Sequence, residues 1–153
     1  MRKKLRLNGA GWNKDRSQGV KVHFSAAEIR QLSIWLIKQE QWHDYALLSL
    51  ALDSMLRSVD LLNLRVRDVC YSNGQVRTKI SAKQRKTARP VHPELTGVTR
   101  KAVAHWISLS GKPRSAYLFT RTKKHRDATP ITRKHLSSLV KLWARWLGHP
   151  PDD

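Results

Sequence analysis

Arg57 lies at a predicted junction between two helices, within the otherwise apolar segment 52–64. A guanidinium in apolar surroundings is costly unless it has a partner or a function. Asp60, three residues further on, can hold the arginine in one orientation, and a guanidinium can bind two phosphate oxygens at once. Such a pair can also be purely structural. These residues alone therefore leave a phosphate-binding and a structural interpretation open.

Two basic segments supply further cations. The first, 83–89, is predicted to form the turn of a β-hairpin, and the second, 121–126, is predicted to be a loop. Cations on such segments can contact the phosphate backbone of a nucleic acid, which fixes its position without reading its sequence. The residues expected to bind DNA in this way are Lys83, Arg85, Arg89, Arg121, Lys123, Lys124 and Arg126.

Other kinds of chemistry find little support in the residue types. The seven histidines have no metal-ligand spacing, and the single cysteine, Cys70, excludes an intrachain disulfide and a cysteine-rich metal site. No glycine-rich phosphate loop is present. We therefore expect no metal and no cofactor. The tyrosines, Tyr45, Tyr71 and Tyr117, fall on a predicted helix, a strand and an extended piece, where they are expected to be packing residues.

The charge of the chain indicates a polyanionic partner. Thirty lysines and arginines stand against eleven aspartates and glutamates among 153 residues, giving a formal charge of +19. Nucleic acid is the expected partner. No apolar run approaches the roughly 20 residues that span a bilayer, and the basic N-terminus lacks the apolar segment of a signal peptide. A cytoplasmic, DNA-associated protein is therefore predicted, with no membrane partner.

The elements that must position these residues can be predicted from local signals. Residues 1–24 form a basic N-terminal arm with little periodicity. Ser25 and Glu28 form a capping box, which predicts a helix from there to about Gln39. Apolar periodicity then predicts a second helix over 44–57 and a short third helix over 59–64.

The second half of the chain combines a hairpin with two further helices. Alternation through Val66, Val69 and Tyr71, a turn at 72–74 and a return through Val76 and Ile80 predict a β-hairpin, and 87–92 would complete a small antiparallel sheet. Later elements are a helix over 95–107, an extended piece over 117–119 and a helix from Thr132 to Leu147, stopped by Gly148. The predicted fold class is α+β, mainly helical with one small antiparallel sheet.

Two motifs resemble the tyrosine recombinase, or phage integrase, family. The segment from Leu56-Arg57 through Asp60-Leu61 to Asp68 resembles the first arginine motif of these enzymes, and Lys86-Thr87 resembles the lysine of their catalytic hairpin. The resemblance implies that Arg57 clamps the non-bridging oxygens of the scissile phosphate. It implies that Lys86 protonates the leaving 5′ oxygen. The implied partner is double-stranded DNA.

The resemblance to a compact bacterial subgroup of integrases extends over nearly the whole chain. It includes residues 11–14, 45–54 and 117–119 and the final helix with Trp143, and it implies that 25–153 is part of an integrase catalytic domain. In the family a His-x-x-Arg box, a Leu-Gly-His box and the nucleophilic tyrosine follow that helix. Leu147-Gly148-His149 imitates the second box, but no His-x-x-Arg precedes it, so we interpret it as a helix stop.

These departures predict a C-terminally truncated recombinase that is inactive alone and works, if at all, with further copies or an intact recombinase on DNA. One alternative is a non-catalytic duplex DNA-binding module or regulator. Another is an RNA- or ribosome-associated basic protein, which explains the charge but neither motif.

Overall fold

The computed structural model describes residues 5–6, 23–121 and 129–150. The described residues fall into two compact units. The first contains those up to Gln41 and those from Thr132 onward, and the second runs from Trp42 to Ile131. None of the helices in the described ranges has the length and the apolar composition that a membrane-spanning segment needs.

The first unit contains two short strands and two helices. Strand β1 (Leu5–Arg6) pairs antiparallel with β2 (His23–Phe24), so that Leu5 lies opposite Phe24. Helix α1 spans Ala26–Lys38 and helix α6, the last of the chain, spans Arg133–Trp146. The buried side chains of the unit come from these elements: Phe24, Leu32, Leu36, Leu136, Val140, Trp143 and Ala144.

Both helices of this unit begin at the predicted caps. The Ser25 hydroxyl accepts the backbone N–H of Glu28, and the Glu28 carboxylate accepts the backbone N–H of Ser25, which confirms the capping box. The Thr132 hydroxyl accepts the backbone N–H of His135 and starts α6. Gly148, at φ 86°, follows that helix in the left-handed conformation, which glycine adopts without steric cost.

The second unit contains four helices and a β-hairpin. Helices α2, α3, α4 and α5 span Trp42–Ser54, Ser58–Leu62, Val66–Val69 and Gly97–Ser110. Strand β3 (Ala82–Lys83) pairs antiparallel with β4 (Pro90–Val91). Helix α2 is buried over most of its length, as its apolar sequence predicts. It packs against α5, where the Thr99 hydroxyl donates to the carbonyl of Ser49 at 3.3 Å.

The predicted strand through Val66 and Val69 is wrong. These residues form the helical turn α4, in which the Asp68 carboxylate accepts the backbone N–H of Arg65 at 2.7 Å and closes the turn. The backbone N–H of Val66 donates to Ala116, far along the chain. Of the predicted hairpin, an isolated bridge between Cys70 and Val76 is present. Tyr71, which was predicted to lie on a strand, follows Cys70 and is exposed.

The hairpin at 82–91 follows the prediction more closely. Its two strands enclose the basic segment, and the pairing continues irregularly toward the protein interior through a bridge between Lys79 and Glu94. The buried Ile80 donates its backbone N–H to the carbonyl of Pro93 at 3.0 Å. The base of the hairpin is therefore anchored in the core, and its turn is exposed. The mainly helical fold with a small antiparallel sheet is confirmed.

Candidate functional site

Arg57 occupies the junction between α2 and α3, as predicted. It is the N-cap of α3, with φ −62° and ψ 150°, and its side chain makes no capping hydrogen bond. Its neighbours on both sides, Leu56 and Ser58, are buried, whereas Arg57 itself is half-buried. The backbone is therefore held in the core while the guanidinium can reach a partner outside the chain.

Asp60 has a different partner from the predicted one. Its side chain is 5% exposed, and its Oδ1 accepts the backbone N–H of Arg85 at 2.9 Å. Within the described ranges, Asp60 forms no hydrogen bond or ion pair with Arg57, and its buried Oδ2 has no hydrogen-bond partner. Asp60 therefore binds the hairpin instead of orienting the arginine.

The turn that follows β3 presents the second group of cations. Its conformation is fixed by a hydrogen bond from the backbone N–H of Gln84 to the carbonyl of Arg89, at 2.9 Å, and by the Thr87 hydroxyl, which donates to Gln84 Oε1 at 2.9 Å. Ala88 adopts φ 55°. Four predicted site residues are exposed here: Lys83, Arg85, Lys86 and Arg89.

The remaining predicted DNA contacts lie in the second basic segment. Arg121 is exposed, whereas Lys123, Lys124 and Arg126 lie outside the described residues. The residue before Arg121 is fixed on two sides: Thr120 forms a bridge with Pro130, and its hydroxyl accepts a hydrogen bond from the buried Lys112 ammonium at 2.6 Å. Arg121 therefore follows a residue that is held by two contacts.

Each of the three tyrosines contacts a neighbouring side chain in the second unit, and Tyr71 is exposed. The Tyr117 hydroxyl accepts a hydrogen bond from Arg65 at 3.0 Å, and the guanidinium also lies 4.2 Å from the centre of that ring. Arg77 covers the Tyr71 ring at 4.6 Å, and Tyr45 contacts Trp42 edge-on. Each ring is thus engaged with a neighbouring side chain.

Over the described ranges, no group of three or more histidine, cysteine, aspartate or glutamate side chains could hold a metal ion. The histidine with the closest partner, His149, contacts the Glu28 carboxylate within the first unit, and Phe24 packs against its ring edge-on. This contact gives Leu147-Gly148-His149 a structural role at the end of α6.

One connection at the site was missed by sequence reasoning. The hydrogen bond from Arg85 to Asp60 joins residues 25 positions apart, and no local pattern encodes such a pairing. The only sequence signal was a carboxylate placed in an apolar helix, which must find a donor when it is buried.

This architecture is that of a tyrosine-recombinase catalytic domain. The chain belongs to the phage integrase family, whose family model matches residues 23–149. The crystal structure of XerA recombinase is similar in fold, with a TM-score of 0.68 and 18% sequence identity over 88% of this chain and 46% of that chain. The present chain thus spans less than half of the XerA chain. No curated protein matches the sequence.

Proposed function

We propose that this chain binds double-stranded DNA as part of a site-specific recombinase that breaks and rejoins phosphodiester bonds. The observation that carries the proposal is the hydrogen bond between Asp60 and the backbone of Arg85. It connects the helix that follows Arg57 to the turn that carries Lys86. Two cations that the family uses on one phosphate thereby sit on elements that are physically joined.

In this proposal the two cations act on the same phosphodiester. The Arg57 guanidinium binds the non-bridging oxygens, where negative charge develops in the transition state. The Lys86 ammonium gives a proton to the leaving 5′ oxygen. Asp60 is a positioning residue, since it holds the turn through Arg85 and touches no reacting atom. Lys83, Arg85, Arg89 and Arg121 bind neighbouring phosphates, and we assign Lys123, Lys124 and Arg126 to the same task.

The proposed domain division is the one that the family resemblance implies. Residues 25–153 would be part of the catalytic domain. Residues 1–24, most of which lie outside the described residues, would be a basic arm along the phosphate backbone, and the described strands β1 and β2 attach this arm to the first unit. On DNA, further copies or an intact recombinase would act beside this chain. The proposed location is the bacterial cytoplasm, in association with DNA.

A second candidate function is duplex binding without strand transfer, as in a regulator of an intact recombinase. The packing of Tyr45 and Tyr117 favours it, because a nucleophile must be free to meet the phosphate in line. A duplex with a nick beside the scissile bond traps the covalent adduct and separates the two functions. We expect the 153-residue chain to form none, and a phosphotyrosyl adduct on any of these tyrosines would contradict their packing role.

The dependence of duplex affinity on salt tests the shared claim of DNA binding. Each phosphate contact releases condensed counterions, so six contacts would give a slope of log affinity against log salt of about −5. We expect Lys86→Ala to reduce the magnitude of that slope by about one. Lys101→Ala, which removes an exposed cation from α5, is the matched control and should leave the slope unchanged.

Two outcomes would contradict the proposal. A flat salt dependence would exclude phosphate contacts as the source of affinity. Displacement of the duplex by structured RNA at far lower concentration than by unlabelled duplex would favour the RNA-associated alternative.

A further inference from the structure

Both the backbone conformation and the solvent exposure of Met55 are unfavourable for a methionine. It follows the last residue of α2 and adopts φ 53°, a left-handed conformation in which a side chain meets its own backbone. It is also 69% exposed, the highest value among the large apolar residues in the described part of the chain. Neither the backbone nor the solvation of the protein alone accounts for a methionine here.

At other helix ends of this chain the left-handed position is occupied by glycine, which adopts it without steric strain. Helix α5 is followed by Gly111 at φ 63°, and α6 is followed closely by Gly148 at φ 86°. The other positive-φ residues with side chains in the described segments are Glu40, which is polar, and Ala88, which is small. Met55 is the one that combines this backbone with a large, exposed apolar side chain.

The position of Met55 is set by hydrogen bonds at the end of α2. Its backbone N–H donates to the carbonyl of Ala51 at 3.2 Å, and the Ser54 hydroxyl accepts the backbone N–H of Leu56 at 3.3 Å. Leu56 then enters the core at 4% exposure. Met55 is therefore held outside the core, two residues before Arg57.

We propose that Met55 is a DNA-contacting residue, which packs its thioether side chain on the sugar and base next to the phosphate bound by Arg57. This inference rests on the proposed function. A methionine suits such a contact because it is unbranched, polarizable and able to adapt to an irregular surface. Apolar side chains placed against base steps are a known mode of DNA contact. The contact would add affinity without adding charge.

Because methionine carries no charge, its loss should lower the affinity without changing how the affinity depends on salt. Binding of a labelled duplex of mixed sequence is measured over a salt series for the wild type, Met55→Ala and Met55→Gly. Met55→Ala keeps the unfavourable backbone and removes the side chain. We expect it to weaken binding by about three- to tenfold at every salt concentration, with an unchanged slope. Met55→Gly should lose the same affinity while raising the thermal midpoint, because the backbone strain is relieved.

Val98→Ala is the matched control, since Val98 is also exposed and apolar but lies on α5; it should bind like the wild type. Wild-type affinity of Met55→Ala, together with a reduced slope in Lys86→Ala, would refute the inference and leave the proposed function intact. A smaller slope in Met55→Ala would also refute it, since the residue would then act by positioning a cation on a phosphate. A wild-type slope in Lys86→Ala would count against the proposed function itself.

Discussion

The two arginines of the helical segment 57–65 have different surroundings. Arg65 donates hydrogen bonds to the carbonyl of Ser115 at 2.6 Å and to the Tyr117 hydroxyl at 3.0 Å. Arg57 forms no side-chain hydrogen bond or ion pair in the part of the chain that the structure describes. A half-buried guanidinium that the fold does not use is suited to bind an external phosphate.

This contrast predicts that two alanine substitutions change stability by different amounts. Arg57→Ala should change the free energy of unfolding by less than about 1 kcal/mol, because the arginine side chain makes no hydrogen bond or ion pair within the described residues. Arg65→Ala should lower it by about 1.5–3 kcal/mol, the range for hydrogen bonds made by a charged group. Urea unfolding of both variants measures the difference. A loss of several kcal/mol in Arg57→Ala would make Arg57 a structural residue.

At the scale of elements, the buried Asp60 is what ties α3 to the hairpin. Its Oδ1 is the acceptor for the Arg85 backbone N–H, so removal of the carboxylate leaves that donor without its partner. Loss of an acceptor in this way costs about 1–3 kcal/mol. The effect should concentrate at the hairpin turn, because the strands below it keep their own pairing.

We therefore predict that Asp60→Ala speeds hydrogen exchange at the Arg85 amide and weakens duplex binding. Asp60→Asn is the matched control, because its side-chain carbonyl can still accept that N–H, and the Arg85 amide should stay protected. Exchange measured by NMR at single residues reports both variants. An Arg85 amide that is equally protected in Asp60→Ala would show that Asp60 does not hold the turn.

The contacts of Glu28 at the start of α1 predict how the stability of the fold depends on pH. The backbone N–H of Ser25 chiefly lowers the pKa of the Glu28 carboxyl, burial opposes this, and the contact with His149 lowers the pKa further. A carboxyl with a depressed pKa stabilises the fold above its ordinary pKa of about 4.3. That contribution is lost as the pH falls through the lowered value in the folded state.

Glu28→Gln should therefore be less stable than the wild type at neutral pH, and the difference should shrink as the solution is acidified below about pH 4. Thermal unfolding over an acidic pH series measures it. Glu40→Gln, which alters an exposed carboxylate after α1, is the control and should follow the wild type. An equal stability difference at all pH values would contradict the role of the Glu28 charge.

Over the whole molecule, the features that could be predicted from the sequence are those set by contacts between residues close together in the chain. Ser25, Thr132 and Gly148 mark helix boundaries through contacts within a few residues, and these boundaries are confirmed. The segment 66–69 was predicted as a strand, because apolar and polar residues alternate through it. Over so short a segment this pattern also fits a helical turn. Its helical turn depends in part on a hydrogen bond from Val66 to Ala116, which sequence spacing cannot reveal.

In the candidate site, too, local motifs could be predicted from the sequence and a long-range contact could not. The motifs around Arg57 and Lys86 were sufficient to indicate the family, whereas the phosphate-binding role of the two residues stays a prediction. The partner of Asp60 was not predictable, because a buried carboxylate needs a donor but its sequence position does not specify which one. The structure supplies that donor from the hairpin, 25 residues away.

The central claim is that Arg57 and Lys86 act on one phosphate. A double-mutant cycle of duplex binding tests it most directly, with Arg57→Ala, Lys86→Ala and the double variant compared at one salt concentration. Groups that share a partner show coupling energies of about 0.5–3 kcal/mol, whereas independent sites add to within about 0.5 kcal/mol. We predict coupling of at least about 1 kcal/mol. Strict additivity of the two losses would mean that the cations bind separate phosphates and would contradict the claim.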